Sequence, residues 1–93
     1  MVVGSLRVEL TLPGNDSLKG KRRVVRSLID RAKSRFGVAA AEVDFLDSRH
    51  MACVGFACVS NDARLCGDVL SRILRWLEDN HDGSVVSHEI RLS

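Results

Sequence analysis

The sequence has few aromatic residues, no long apolar run and no recognisable export signal. Aromatic residues make up 4% of the 93 positions against 45% hydrophobic residues, so a core must be built mainly from Val, Leu, Ile and Ala. A membrane-spanning helix needs about 20 consecutive apolar residues, and no such run occurs. The opening Met1-Val2-Val3-Gly4 lacks the basic segment and the small-residue cleavage site of a secretory signal. We therefore expect a cytoplasmic protein without a membrane partner.

The cysteines are too few and too irregular for a disulfide framework. Cys53, Cys58 and Cys66 are odd in number and form no C-x-x-C pair, whereas small secreted scaffolds normally carry an even and denser set. Cys53 and Cys58 lie five residues apart on a predicted strand and should point to opposite faces. The three cysteines and three histidines match no zinc-binding spacing. The sequence thus predicts neither a metal site nor a cofactor.

The first third of the chain changes from a period of two to a helical period. Leu6, Val8, Leu10 and Leu12 alternate with polar residues, which indicates a half-buried strand. Turn-forming residues 13–16 follow, and Ser17 is well placed to cap a helix that begins at Leu18. Gly37 is placed to end that helix. The apolar stripe of the helix comprises Leu18, Val25, Leu28, Ile29, Ala32 and Phe36.

The remaining elements complete a recognisable order. Residues 38–45 and 50–59 read as two strands joined by a short polar link, and residues 60–62 cap a second amphipathic helix. That helix stops near residues 80–83, and Val85, Val86, Ile90 and Leu92 indicate a last strand. The βαββαβ order, with right-handed crossovers, predicts an α+β, ferredoxin-like fold with a four-stranded antiparallel sheet and both helices on one face. We expect residues 1–93 to form one domain.

Several short motifs resemble a known bacterial family. Leu12-Pro13-Gly14, Ser17-Leu18-Lys19 and Lys21-Arg22-Arg23 match the L-P-G…S-L-K-x-K-R-R signature of the YlxP-like family of uncharacterised small proteins. Arg35-Phe36, Glu42-Val43-Asp44 and the stretch from Gly55 to Asp62 are similar as well. The resemblance covers essentially the whole chain.

The resemblance implies a ferredoxin-like fold and a bacterial cytoplasmic protein. Members of that family are often encoded beside genes for translation initiation and ribosome maturation, and some carry the label of a ribosome-binding factor. The chain departs from the pattern at one position, because the family usually has a Trp in the hairpin between the middle strands and the matching position here is Arg49.

The first helix concentrates positive charge. Between Ser17 and Arg35 there are eight Lys and Arg residues against Asp30 alone, a net +7 in a chain whose total is +2, so the remainder carries −5. Such asymmetry is typical of a surface that faces a polyanion. At 100° per residue, five of the cations fall within an arc of roughly 100° beside the apolar stripe. These five are Lys19, Arg22, Arg23, Arg26 and Lys33.

We expect these five cations to contact nucleic-acid phosphate, and Lys21, Arg31 and Arg35 to extend the basic field. Lys and Arg side chains neutralise phosphates and release counterions, which makes affinity strongly salt-dependent. The alternative is a solvated helix face that keeps the protein soluble. The predicted nucleic-acid-binding residues are therefore Lys19, Lys21, Arg22, Arg23, Arg26 and Lys33, and the predicted partner is RNA or a ribosomal particle.

Two other modes of action are disfavoured by the residues. RNA-recognition sheets present aromatic side chains on their central strands, whereas the first strand has none and Phe56 of the third alternates as a core residue. Acylphosphatases share the topology, but the loop at residues 13–17 lacks their V-Q-G-V-x-F-R pattern. No triad frame of the G-x-S-x-G kind is present. We therefore predict that the protein is not an enzyme and has no catalytic residues.

A second hypothesis is a protein–protein interaction module. The basic helix would then dock an acidic partner, and the open sheet face would hold a homodimer. Arg7, Glu9, Glu42, Asp44, Glu89 and Arg91 are expected on that face. The third strand presents there either the set Met51, Cys53, Gly55 and Ala57 or the set Val54 and Phe56. Trp76 lies off the main apolar stripe of the second helix, where it either packs on the first helix or anchors a partner.

Overall fold

A computed structural model describes residues 1–14 and 16–93. Asn15, which belongs to the predicted turn after the first strand, lies outside the described residues. The predicted order of strands and helices, βαββαβ, is confirmed over the described ranges. The elements are β1 (Val2–Thr11), α1 (Leu18–Phe36), β2 (Ala39–Asp44), β3 (Met51–Ser60), α2 (Ala63–Asn80) and β4 (Val85–Leu92).

The four strands form one antiparallel sheet in the order β2-β3-β1-β4. Val8 of β1 lies opposite Val54 of β3, and both side chains are buried in one cluster with Leu28 of α1 and Leu70 of α2. Both helices therefore cover the same face of the sheet, and the predicted ferredoxin-like fold is confirmed. Neither helix within residues 1–14 and 16–93 combines the length and the apolar character needed to cross a bilayer.

The helix ends follow the capping residues expected from the sequence. Ser17 Oγ accepts a hydrogen bond from the Gly20 N–H at 3.0 Å, and the Gly37 N–H donates to the Lys33 carbonyl at 3.0 Å. Gly37 has φ 64°, a left-handed conformation that glycine adopts without strain. Asp62 caps α2 by accepting from the Arg64 N–H at 2.8 Å. These caps satisfy backbone groups that would otherwise lack partners.

The open face of the sheet presents the small side chains of β3. Cys53, Gly55 and Ala57 lie opposite Glu9, Arg7 and Ser5 of β1, on the side away from the helices. Of the two orientations that the sequence allowed, the structure has the one that turns Val54 and Phe56 into the core. An ion pair of 3.3 Å between Arg7 Nη2 and Asp44 Oδ2 passes over β3, since β3 lies between β1 and β2.

The expectation that Glu42 faces outward is wrong. Glu42 lies opposite Val54, on the helix side of the sheet, while Asp44 lies opposite Cys53 on the open face. The register shifts between these two residues, and an extra residue in one strand inverts the alternation beyond it. Val43 is that extra residue, and a Cβ at Gly55 would lie 3.2 Å from its Cγ1 atom.

The expectation that Lys21 extends the exposed basic field is also wrong. Its side chain is 0% exposed, and its Nζ atom forms an ion pair with Glu42 and donates a hydrogen bond to the Phe45 carbonyl at 2.9 Å. A buried ammonium group needs such partners, because burial without them is strongly unfavourable. Lys21 therefore attaches the first turns of α1 to the end of β2.

Removal of the Lys21 charge alone should destabilise the fold. We expect Lys21→Met to lower the free energy of unfolding by about 3 kcal/mol, because Glu42 is left as an uncompensated, largely buried carboxylate. The double variant Lys21→Met/Glu42→Leu should recover most of this loss, since both buried charges are then absent. Urea denaturation of the four proteins of this cycle measures both effects. Equal midpoints for Lys21→Met and the wild type would show that the ion pair does not stabilise the fold.

Candidate nucleic-acid interface

One flank of α1 carries the cations predicted from the helical arc. The buried side chains Val25, Leu28 and Ala32 turn toward the sheet, and the flank lies beside them on the side of β2. Arg22 and Arg26 there line a groove of about 220 Å³ together with Glu42 of β2. We call this surface the basic flank. It consists of Lys19, Arg22, Arg23, Arg26 and Lys33, all of which are exposed.

The basic flank keeps most of its charge uncompensated. Arg22 Nη2 lies 3.5 Å from Asp47 Oδ1, but Asp47 is 95% exposed, and such surface pairs contribute little. The other four cations form no ion pair within residues 1–14 and 16–93. The first turn of α1 contains no acidic residue, so the positive end of the helix dipole adds to the same potential.

Arg49 adds a cation near the start of α1. Its Nη1 atom donates to the Asp16 carbonyl at 3.4 Å, so the β2–β3 hairpin lies against the segment that leads into the helix. Its exposed guanidinium stands beside the end of the basic flank that begins with Lys19.

Arg31 and Arg35 do not extend the basic flank as expected, because they lie on the opposite side of α1. The Arg31 guanidinium carbon lies 5.4 Å from the ring centroid of Trp76 in α2. Trp76 also meets Phe36 edge to face, with centroids 6.0 Å apart and an interplanar angle of 78°. Of the two alternatives for Trp76, the structure shows packing on the first helix. These contacts place Arg31 and Arg35 at the junction of the two helices.

Two further arginines join them from α2. Grooves of about 290 and 490 Å³ border Trp76, the first also lined by Arg72 and Arg75 and the second by Arg31. Sequence reasoning missed Arg72 and Arg75, although their i and i+3 spacing, with Trp76 at i+4, places all three on one helix face. We call this surface the tryptophan seam. It consists of Arg31, Arg35, Arg72, Arg75 and Trp76.

The three thiols are free, with Cys53 and Cys66 buried and Cys58 half-buried. Burial raises the pKa of Cys58 to about 11, with a hydrogen bond to the neighbouring Cys66 thiol adding to the effect. Burial likewise raises the pKa of Cys53. Both groups are therefore protonated at neutral pH, whereas a nucleophilic or metal-binding cysteine requires the thiolate.

Comparison with known proteins gives a family and a distant relative. The family described as "Protein of unknown function (DUF503)" matches residues 3–90. The "Uncharacterized protein YlxP" of Bacillus subtilis (strain 168) is 26% identical over 77 residues, which cover 83% of this chain and 84% of that protein. Both findings confirm the YlxP-like resemblance of the sequence motifs. Because the family match spans nearly the whole chain, the protein belongs to the DUF503 family.

Proposed function

We propose that this protein is a non-enzymatic, cytoplasmic RNA- or ribosome-associated factor that binds the phosphate backbone through the basic flank. The observation that carries the proposal is the one-sided cluster of five exposed cations, four of them without an ion pair in the described part of the chain. A cluster of this kind attracts phosphate and releases counterions when phosphate binds. Arginine adds forked hydrogen bonds to phosphate oxygens.

The geometry of α1 suits an extended backbone. From Lys19 to Lys33 the flank is roughly 21 Å long at 1.5 Å per residue. An RNA strand that runs along α1 therefore meets cations over that whole length. Contacts of this kind position an RNA without reading its sequence. The proposal therefore predicts binding by charge and shape rather than by base recognition at the flank.

The open face of the sheet is poorly suited to RNA, which favours α1 as the binding element. None of the described strands presents an aromatic side chain on that face, because Phe56 is buried on the helix side. Arg7 is held there by carboxylates, with its Nη1 atom 2.9 Å from Glu9 Oε1 and its Nη2 atom 3.3 Å from Asp44 Oδ2. A sheet without stacking residues and with paired charges is poorly suited to single-stranded RNA.

The family resemblance supports a ribosomal particle as the partner. The resemblance implies that such proteins are encoded beside genes for translation initiation and ribosome maturation. That gene neighbourhood agrees with a protein that binds structured RNA through phosphate. The proposed role is therefore in ribosome maturation or translation, and it involves no catalytic step.

Charge reversal on the basic flank should abolish RNA binding without unfolding the protein. We expect Arg23→Glu/Arg26→Glu to weaken binding of a labelled RNA at least about 100-fold at low salt, because two phosphate contacts become repulsive. Fluorescence anisotropy measures the affinity, and a thermal melt verifies folding.

The matched control is Arg64→Glu/Arg91→Glu, which changes the net charge equally but lies outside the flank. It should keep the affinity within a few-fold of wild type. Equal losses in the two variants would mean that net charge alone determines binding, and the site assignment would be wrong.

A second candidate function, a dimeric protein–protein module, is favoured by an apolar groove on the open sheet face. The groove has a volume of about 430 Å³, and Val43 within it is 52% exposed. Its small side chains permit close approach of another sheet, and the occupant we propose is a second copy of this chain. Arg7 and Asp44 beside it offer both charge signs, as a self-complementary twofold contact requires. The apolar lining comprises Ala39, Ala41, Val43, Gly55 and Ala57.

Such a dimer would leave both basic flanks exposed for an acidic partner. We expect sedimentation velocity to show a dimer for the wild type and a monomer for Ala41→Glu, since the added carboxylate would be buried at the contact. Ser71→Glu, on the exposed side of α2, should remain dimeric. A monomeric wild type at about 100 µM would exclude this contact as a stable interface.

A further inference from the structure

The tryptophan seam is a second basic surface that the basic flank does not include. The indole ring of Trp76 is held in place, because it packs edge to face on Phe36 and lies at the rim of the hydrophobic core. Arg31 lies over the same ring at 5.4 Å. Grooves of about 290 and 490 Å³ border the ring, and pockets for small molecules begin at about 300 Å³. Trp76 is partly exposed, so part of its ring can be reached from these grooves.

The charge around the Trp76 ring is predominantly positive. Asp79 is the one carboxylate among the described residues that line the two grooves. None of the four arginines forms an ion pair in the part of the chain that the structure describes. Arginine forks bind phosphate oxygens, and arginine planes stack on bases. The combination matches a ligand with flat rings and several negative charges.

We propose that the tryptophan seam binds a nucleotide of single-stranded RNA, with the base stacked beside Trp76 and the neighbouring phosphates held by Arg31, Arg35, Arg72 and Arg75. This inference rests on the proposed function and adds a base-contacting site to the phosphate contacts of the basic flank. Single strands expose the faces of their bases, whereas duplexes keep them stacked. The seam therefore selects single-stranded over double-stranded RNA.

The surface between the basic flank and the tryptophan seam allows a single RNA strand to reach both. The basic flank and the seam lie on opposite sides of α1, and Ser27 and Ser34 are exposed between them. An RNA strand that crosses the solvent side of α1 from Arg23 to Trp76 passes over these short side chains. Protein interfaces also enrich Trp and Arg, so a protein partner anchored by Trp76 is the alternative that the experiments below separate from RNA.

Trp76 itself reports occupancy of the seam. It is the one Trp of the chain, which has no Tyr, so the intrinsic fluorescence of the protein comes from this residue. Titration with a single-stranded RNA of ~10 nucleotides, enough for one binding site, should quench this emission saturably. Inorganic polyphosphate, which carries charge without bases, should bind at low salt without comparable quenching. Quenching of equal depth by polyphosphate would overturn the proposal.

Variants at the ring separate stacking from packing. We expect Trp76→Leu to weaken single-stranded RNA binding about tenfold, the effect of losing one stacked base, and to leave duplex RNA binding within about twofold. Trp76→Phe keeps an aromatic face and should retain most of the affinity. Anisotropy of labelled RNA measures all three proteins, and thermal melts confirm that each is folded. Equal losses for single-stranded and duplex RNA, or no rescue by Phe, would overturn the stacking role.

The results that would refute base stacking at the tryptophan seam differ from those that would refute RNA binding by the protein. If wild-type protein binds no RNA at low salt, both are wrong. If RNA binds through the basic flank but neither quenches Trp76 nor distinguishes Trp76→Leu from wild type, the seam is not a base site.

Discussion

The buried ion pair between Lys21 and Glu42 determines how α1 is oriented on the sheet. The ammonium group has no exposed surface and is held by a carboxylate of β2 and by the Phe45 carbonyl at its end. Breaking a buried pair leaves an uncompensated charge, so rotation of the helix away from β2 is strongly disfavoured. The apolar stripe alone would permit a range of rotations, because Leu, Val and Ala contacts are not directional.

This orientation divides the cations of α1 into two groups. With Lys21 turned inward, Arg22 and Arg26 lie on the side of β2, and Arg31 lies on the side of α2 against Trp76. The same helix thus separates a surface of charge alone from a surface that combines charge with an aromatic ring. In the proposed function the first surface supplies salt-dependent affinity and the second adds preference for unpaired bases. Neither group requires the open sheet face, which remains available to a second copy of the chain.

The fold could be predicted from the sequence because the elements have clear periods and clear ends. Alternation in β1, the cap at Ser17 and the glycine at Gly37 each identify a boundary by a local rule, and the structure agrees with all three. The motifs around Lys21-Arg22-Arg23 also pointed to the right family. Local rules were sufficient here because each depends on residues close together in the chain.

The site was harder to predict because its contacts are long-range. The inward position of Glu42 follows from a register shift after it, which alternation cannot reveal, and the burial of Lys21 follows from Glu42. The helical wheel gave the exposed arc correctly, yet it could not show which neighbour each flank would meet. Arg72 and Arg75 join Arg31 and Arg35 only through the packing of α2 beside α1.

The central claim is that cations of the basic flank neutralise RNA phosphates. The most direct measurement is the dependence of log affinity on log salt for the wild type and for Arg23→Ala/Arg26→Ala with the same single-stranded RNA. Two lost phosphate contacts should flatten the slope by about 1.4, at about 0.7 for each contact. Parallel lines for the two proteins would contradict the account, because the flank would then contribute no phosphate contact.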